Sequence, residues 1–285
     1  MAGLALAAAP VRADEVDAEH IFGFTQGSEI GEAGGRTFEA ETAGRFGLRR
    51  GSYRSASSDI TALLTLTDNF RVAPALTFDS FHARGVPGLA DRFGTLIEGP
   101  SVDLKYRVLD YKTDAFGLTF GATPYYARVD AFSGSAIQGT GTNLLLALDR
   151  ALVPGRLFGA VNVVYGLDRT RAGGTGERTD SSSLALSGAL SARVLDGILV
   201  GGELRYVRNY SGLALDQAAG DAFYAGPTFY VGLREGTFLA GGVGFKLVGR
   251  EPPQASAAPS GSSKSVSALS AFERQQAVLR FGQGF

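Results

Sequence analysis

The chain has 285 residues, a formal net charge of −1 and no cysteine, which excludes disulfide bonds and thiolate metal sites and leaves no basic surface for nucleic acid. The hydrophobic fraction is 45% and the charged fraction 19%, so the composition is not that of a disordered chain. The two histidines, His20 and His82, are too few for a histidine-rich metal site. We therefore expect no metal and no other cofactor.

Residues 1–13 (MAGLALAAAPVRA) have the features of the second half of a secretory signal peptide. Leu4 to Ala9 form a short apolar core, and Ala13 is the small residue expected at a cleavage site. The basic start of such a signal is missing, so the sequence predicts a truncated signal peptide and an exported protein. No run of about 18 apolar residues is present in the chain, which excludes a transmembrane helix.

Residues 14–35 form an acidic segment before the first predicted strand. The segment contains six acidic residues and neither lysine nor arginine. It also contains the apolar residues Ile21, Phe22 and Phe24 and is rich in glycine. Because an ordered glycine loses more conformational entropy than any other residue, this composition makes folding of the segment costly.

From residue 36 onward, apolar and polar side chains alternate with a period of two, which is typical of β-strands with two different faces. In the first run, Phe38 and Ala40 share one face, while Glu39 and Glu41 share the other. Twelve such runs follow one another, and tight connections alternate with mostly longer ones. This alternation is typical of outer-membrane barrels, in which short periplasmic turns alternate with longer extracellular loops.

The C-terminal residues AVLRFGQGF carry a second indication. Phe285, Phe281 and Leu279 occupy alternating positions, and only Gln283 interrupts the apolar face. Here residues 36–285 resemble bacterial outer-membrane β-barrel proteins of the porin-like class, in which such a strand is the recognition signal for the barrel assembly machinery. The resemblance implies an all-β, closed antiparallel transmembrane barrel of about twelve strands in the bacterial outer membrane, with membrane lipid and the assembly machinery as partners.

Four prolines fit poorly inside the predicted strands, because proline removes a donor from the hydrogen-bond ladder. They are Pro74, Pro100, Pro124 and Pro227. A closed barrel has no free edge for them, so we expect a bulge or a strand end at each.

The polar face of each strand is expected to point into the lumen, since the apolar face must contact lipid. Inward bases outnumber inward acids by eleven to eight, and charged lining residues set ion preference in pores. The predicted pore-lining residues are Arg45, Asp59, Arg71, Asp103, Lys105, Arg107, Glu203, Arg205, Tyr230, Lys246 and Arg280.

The leading functional interpretation is a passive channel for small polar solutes with a weak anion preference. A non-conducting structural or surface-interaction barrel is the alternative, because twelve strands lie between side-chain-filled and open barrels. An outer-membrane hydrolase is a third interpretation, supported only by the cluster Asp79, Ser80 and His82. Alternation places Ser80 and His82 on the lipid face and Asp79 on the other, so no enzyme activity is expected.

Two alternatives remain for the acidic segment 14–35. It starts at the periplasmic mouth, where the positive surplus of the lumen and small inward residues such as Gly117 and Gly242 favour docking as a plug. Ile21, Phe22 and Phe24 would then anchor it by burial of apolar area. Its glycines favour a free periplasmic tail instead.

Overall fold

The computed structural model describes residues 19–234, 236–250 and 272–285, with the side chain of Arg234 left out. The predicted signal peptide 1–13 and nearly all of the predicted connection 250–271 lie outside the described residues. Within the described residues, no helix is long and apolar enough to cross a membrane.

Twelve β-strands make up the fold. They are β1 (Arg36–Phe46), β2 (Ser52–Thr67), β3 (Phe70–Arg84), β4 (Arg92–Leu109), β5 (Gly117–Val129), β6 (Ala136–Val153), β7 (Leu157–Ala172), β8 (Arg178–Leu195), β9 (Ile198–Ser211), β10 (Gln217–Arg234), β11 (Thr237–Arg250) and β12 (Gln275–Gly284). Each strand pairs antiparallel with its neighbours in sequence, and β1 pairs with β12. The sheet is therefore a closed barrel, which confirms the predicted fold class.

The two ends of the barrel have different connections. At the short-turn end, β2–β3, β8–β9 and β10–β11 are joined by two residues each and β6–β7 by three, while β4–β5 has the longer connection 110–116. The long-loop end carries the connections 47–51, 85–91, 130–135, 173–177 and 212–216. These loops are shorter than the sequence predicted, because strands such as β3 and β4 extend beyond the regular alternation.

Side-chain exposure separates the two faces as the alternation predicted. Outward apolar side chains such as Leu66 and Phe120 are 57% and 51% exposed, whereas the inward Arg71, Lys105 and Arg280 are 4% exposed. In a soluble sandwich the apolar face would be the buried one. Here the buried face is the polar one, as expected when lipid covers the outside.

The prolines lie inside the strands rather than at their ends. The pairing of β2 with β3 passes from Thr61–Ala75 to Leu64–Val72 without a change of register, leaving a gap in the ladder at Pro74. Similar gaps occur at Pro124 in the β4–β5 pairing and at Pro227 in the β10–β11 pairing. At these three prolines the expected bulge is replaced by a local interruption, since a missing donor breaks a ladder without displacing its register. Beside Pro100 the expected irregularity is present, because the β3–β4 pairing shifts register between Thr77–Gly99 and Phe78–Ile97.

Membrane orientation can be tested with two exposed positions at opposite ends. We expect the variant Gly174→Cys, in the long loop 173–177, to react with an impermeant thiol reagent on intact cells. The variant Ala115→Cys, in the connection 110–116, should react only after the outer membrane is opened. The absence of native cysteine removes background labelling, and the reverse labelling pattern would contradict the orientation.

The C-terminal residue gives a second prediction. Phe285 is 82% exposed and its backbone N–H donates to the carbonyl of Arg36 at 3.0 Å, so it ends the strand pair that closes the barrel. We expect deletion of Phe285 to slow membrane insertion and leave the chain in the periplasm. The measurement is the fraction of heat-modifiable, folded protein on gels over time, and unchanged folding and levels would contradict the assembly role.

Candidate functional site in the lumen

Residues 19–31, which we call the inner segment, lie inside the barrel at its short-turn half. Ile21 and Phe22 are 0% and 1% exposed. The backbone N–H of Gly27 donates to the carbonyl of Glu19 at 3.0 Å, which folds the segment into a compact loop. Side chains from strands all around the barrel meet this loop.

An apolar cluster holds one side of the inner segment. Ile21 and Phe22 pack with buried side chains of β7 to β11 near the short-turn end: Phe158, Ala160, Ala189, Leu199, Tyr230, Phe238 and Ala240. Full burial of each of the two segment side chains contributes roughly 1.5–3 kcal/mol. Tyr230, predicted to line an open pore, is 6% exposed and belongs to this cluster.

Polar side chains of β7, β8 and β9 bind the backbone and side chains of the middle of the segment. The N–H of Phe24 donates to Glu203 Oε2 at 2.7 Å, and the guanidinium carbon of Arg205 lies 4.0 Å from the centroid of the Phe24 ring. Asn162 makes two bonds to the backbone of Gln26, accepting from its N–H at 2.7 Å and donating to its carbonyl at 2.8 Å. These contacts satisfy backbone groups that would otherwise be buried without partners.

The next part of the segment is bound by β5 and β6. Asp149 accepts from the N–H of Ser28 at 3.0 Å and from its hydroxyl at 2.6 Å. Thr119 donates to the carbonyl of Ser28 at 2.5 Å. On the other side, Thr65 of β2 donates to the carbonyl of Ile30 at 2.8 Å, just before the segment passes into β1.

Glu19 forms the central charged contact of the site. Arg71 donates to both of its carboxylate oxygens, at 2.5 and 2.7 Å, and Lys105 Nζ donates to Oε1 at 2.6 Å. Burial alone raises the pKa of Glu19, but the positive charges of Arg71 and Lys105 outweigh it and hold this pKa well below its usual range. Glu19 is therefore ionised at neutral pH, and its charge is matched by two bases of the wall.

A second cluster of charged side chains lies beside Glu19. It consists of His20 of the segment and side chains of β1 and β12. His20 Nε2 lies 2.9 Å from Glu39 Oε2, and the His20 ring stacks on Phe238 with centroids 4.5 Å apart. Arg280 approaches Glu39 at 3.2 Å and also binds Glu41. Charges of the segment and of the wall thus alternate in sign across this part of the lumen.

Glycines of the wall make room for the segment. A Cβ added at Gly117 would lie 1.9 Å from Ser28 Oγ and 2.2 Å from an oxygen of Asp149. Gly242 faces Gly23 of the segment, where an added Cβ would come within 3.3 Å of the Gly23 Cα. Both wall positions had been noted in the sequence as small inward residues.

The other predicted lumen residues lie at different heights. Arg107 is at the short-turn mouth, bound to the carbonyl of Asp68 at 2.6 Å. Asp103 lies 3.6 Å from Arg71, and Asp59 accepts from Thr77 of β3 at 2.5 Å.

Nearer the long-loop end, Arg45 and Lys246 donate to backbone carbonyls of Ala131 and Phe272. Arg71, Asp103, Lys105 and Arg280 are therefore grouped around Glu19, whereas Arg45, Arg107 and Lys246 are not.

The described part of the lumen contains a larger and a smaller cavity beside the segment. A cavity of about 600 Å³, which we call the vestibule, lies at the long-loop end. Its charged lining consists of Arg45 and the four acids Asp130, Asp168, Glu177 and Glu273. A smaller cavity of about 170 Å³ lies between the inner segment and the wall formed by β1 to β5 and β12.

The cluster considered for hydrolysis does not form a catalytic site. Ser80 and His82 lie on the outer face, where Ser80 bonds Thr95 at 2.8 Å and His82 packs edge-on against Phe93. Asp79 is on the inner face and 1% exposed. Within the described residues, no group of three or more His, Cys, Asp or Glu side chains is arranged to hold a metal ion.

Sequence reasoning did not identify most of the side chains that bind the segment. Thr65, Thr119, Asn162 and Ser187 are single neutral residues on inward faces, and Thr25 donates to Ser187 at 2.8 Å. Their inward direction was visible in the alternation. Their common partner was not, because the four strands that carry these residues are spread along the sequence and surround one lumen only when the barrel closes.

The chain belongs to a family of unknown function, DUF6662, whose model matches residues 14–285. No curated protein sequence matches the chain significantly.

Among solved structures, the chain is similar to the COG4313 outer membrane channel from Pseudomonas putida F1, with a TM-score of 0.59 and 16% sequence identity over 90% of this chain and 98% of that one. It is also similar to the beta domain of the Bordetella autotransporter BrkA, with a TM-score of 0.52 and 13% identity over 88% of this chain and all of that one. At these identities the similarity establishes the fold, and it confirms the resemblance to outer-membrane barrels.

The ion pairs of Glu19 are expected to hold the inner segment in the lumen, and variants of Arg71 and Lys105 can test this. We expect the double variant Arg71→Gln and Lys105→Gln to loosen the inner segment, because it removes both cations of the wall from the buried carboxylate of Glu19. The measurement is the rate at which a thiol reagent labels Thr25→Cys, a position that is fully buried. That rate should rise at least about tenfold in folded protein.

The matched control is Arg107→Gln, a lumen arginine that binds Asp68 and Asp110 rather than the segment. It should leave the labelling rate unchanged. Equal rates in all backgrounds would contradict an electrostatic anchor at Glu19.

Proposed function

We propose that the protein is an outer-membrane channel for small polar solutes and that the inner segment controls passage through its lumen. The observation that carries the proposal is the charged inner wall, which leads from the vestibule to a segment held by polar contacts. An inner wall of this kind suits a water-filled path better than a packed core.

The contacts of the inner segment support a controlled rather than a permanently open path. The segment is continuous with β1 and contains glycines at 23, 27 and 31, so it can leave the lumen without breaking the barrel. Most of its contacts are hydrogen bonds and ion pairs, and water that enters the lumen on release can hydrate the polar groups that the segment leaves. Three buried apolar side chains, Ile21, Phe22 and Ile30, become exposed on release.

The charges of the site bear on ion preference. With the segment in place, Glu19 pairs with both Arg71 and Lys105 and offsets part of their positive charge, and the acids of the vestibule outnumber its one base. The weak anion preference expected from the wall residues therefore belongs to the open lumen, after the segment has left. In that state Arg71 and Lys105 still have the carboxylate of Asp103 nearby, but they carry two positive charges against its one, which leaves a net positive charge facing the lumen.

A non-conducting structural barrel is the second candidate function. The same contacts favour it, because they reach strands from β1 to β11, and the cavity between the segment and the wall of β1 to β5 and β12 has a volume of only about 170 Å³. The two functions differ in what happens when the segment is removed. After removal of the segment, a structural barrel would stay impermeable only if the side chains of its wall filled the lumen.

Planar-bilayer recording tests the channel. We expect the full chain to give small or intermittent conductance steps and deletion of residues 14–31 to give larger and steadier ones, because the deletion removes the material across the lumen. Identical silence from both proteins, with folding shown by heat-modifiable migration, would favour the structural barrel. The variant Gly117→Val, which clashes with Ser28, should shift the full chain toward the behaviour of the deletion.

Reversal potentials in a salt gradient test the selectivity. We expect the deletion protein to prefer anions, and we expect Arg71→Gln with Lys105→Gln in that background to move the reversal potential toward cations. A deletion protein that prefers cations would contradict the role of these two bases.

A further inference from the structure

A row of arginines crosses the outer face of the barrel at the long-loop end. Arg171 of β7 is paired directly with Arg178 of β8 and, on its other side, with Gln138 of β6. Arg128 of β5 lies at the same height, beside the register shift that follows Ala127–Gly139 in the β5–β6 pairing. With strands about 4.8 Å apart, the row extends about 15 Å around the barrel.

The arginines of this row point outward. Arg128 shares its face with Tyr126, which is 41% exposed, and Arg171 shares its face with Val161, which is 52% exposed. All three arginines are exposed. They lie at the ends of their strands, at the boundary between the barrel wall and the loops.

The charges of the row are not balanced by the protein. Within the described residues, none of the three guanidinium groups has a hydrogen-bond or ion-pair partner, whereas Arg169 in the adjacent row binds Asp180 at 2.8 and 2.9 Å. Like charges directly opposite each other on neighbouring strands destabilise a sheet. The pairing of Arg171 with Arg178 therefore costs free energy that an anion placed between them would recover.

The surface next to the row begins with the ion pair between Arg169 and Asp180 and becomes apolar toward the middle of the barrel. Toward the middle of the barrel the same strands present Tyr126, Leu144, Val161 and Leu186, each more than 40% exposed. A ligand that covers both surfaces has an anionic headgroup and acyl chains. A free anion would use the arginines alone.

The two ends of the barrel differ in outward base content. Outward strand arginines at the long-loop end also include Arg54 and Arg84, whereas the short-turn end has Arg36 and Arg150. The nearest acid in the long-loop connection beside the row is Glu177, which lines the vestibule. The charge asymmetry thus lies along the axis that crosses the membrane.

We propose that Arg128, Arg171 and Arg178 form a binding site for the phosphate groups of a phosphorylated lipid in the outer leaflet, with its acyl chains on the apolar surface below. Guanidinium groups bind phosphate by paired, charge-assisted hydrogen bonds, and Arg is better suited to this geometry than Lys. The inference rests on the proposed membrane location but not on conduction, so a barrel that passes no solute would leave it intact.

Native mass spectrometry of the detergent-purified full chain tests the site. The probe is lipid A, a disaccharide lipid with two phosphates, compared with phosphatidylcholine and with inorganic phosphate as competitor. We expect the triple variant Arg128→Gln, Arg171→Gln and Arg178→Gln to bind lipid A about tenfold to a hundredfold more weakly than the wild type. The double variant Arg36→Gln and Arg150→Gln, which removes outward arginines at the other end, should bind it normally.

Each outcome decides the proposal. Selective loss of lipid A binding in the triple variant, with normal phosphatidylcholine binding and heat-modifiable migration, supports the site. Equal loss in the control variant would indicate general charge attraction and overturn it. Full competition by millimolar inorganic phosphate would also overturn it, because the site would then recognise a free anion rather than a lipid.

Discussion

Closure of the sheet between β1 and β12 is the constraint on which the other features depend. A sheet that spans a membrane cannot leave backbone groups unpaired in lipid, so the first and last strands must meet. Once they do, every second side chain faces an enclosed lumen. The polar alternation that began as a strand pattern thereby becomes a wall of charged groups in a confined space.

The inner segment offsets positive charge that this wall places inside the barrel. Arg71 and Lys105 lie close together on β3 and β4, and both are 4% exposed. The carboxylate of Asp103 lies 3.6 Å from Arg71 and 3.9 Å from Lys105, but one carboxylate does not balance two buried cations. Glu19 supplies the missing charge, and the segment in turn satisfies its own buried backbone on the wall side chains Asn162, Asp149 and Thr119. The dependence is mutual, which is why removal of either partner is expected to destabilise the other.

The segment and the vestibule give the lumen two different halves. The short-turn half contains the neutralising contacts and the apolar cluster around Phe22 and Phe238. The long-loop half retains most of the open volume and an excess of acids. A solute entering from the long-loop end would meet the acidic region first and the bases around Glu19 only when the segment moves. Under the proposed channel function, this arrangement would link passage and selectivity to a single conformational step.

The alternation and the terminal aromatic strand determined the fold class, the strand number and the facing of side chains such as Arg71 and Leu66. These features are local, because period two follows from backbone geometry and a lipid exterior. The sequence also showed that residues 14–35 were acidic and that Gly117 and Gly242 were small and inward. It did not determine whether the segment docked, because entropy and burial nearly balance for a glycine-rich chain. Only the tertiary structure decided this, since the contacts of Glu19, Gln26 and Ser28 reach residues 52 to 136 positions away that come together only when the barrel closes.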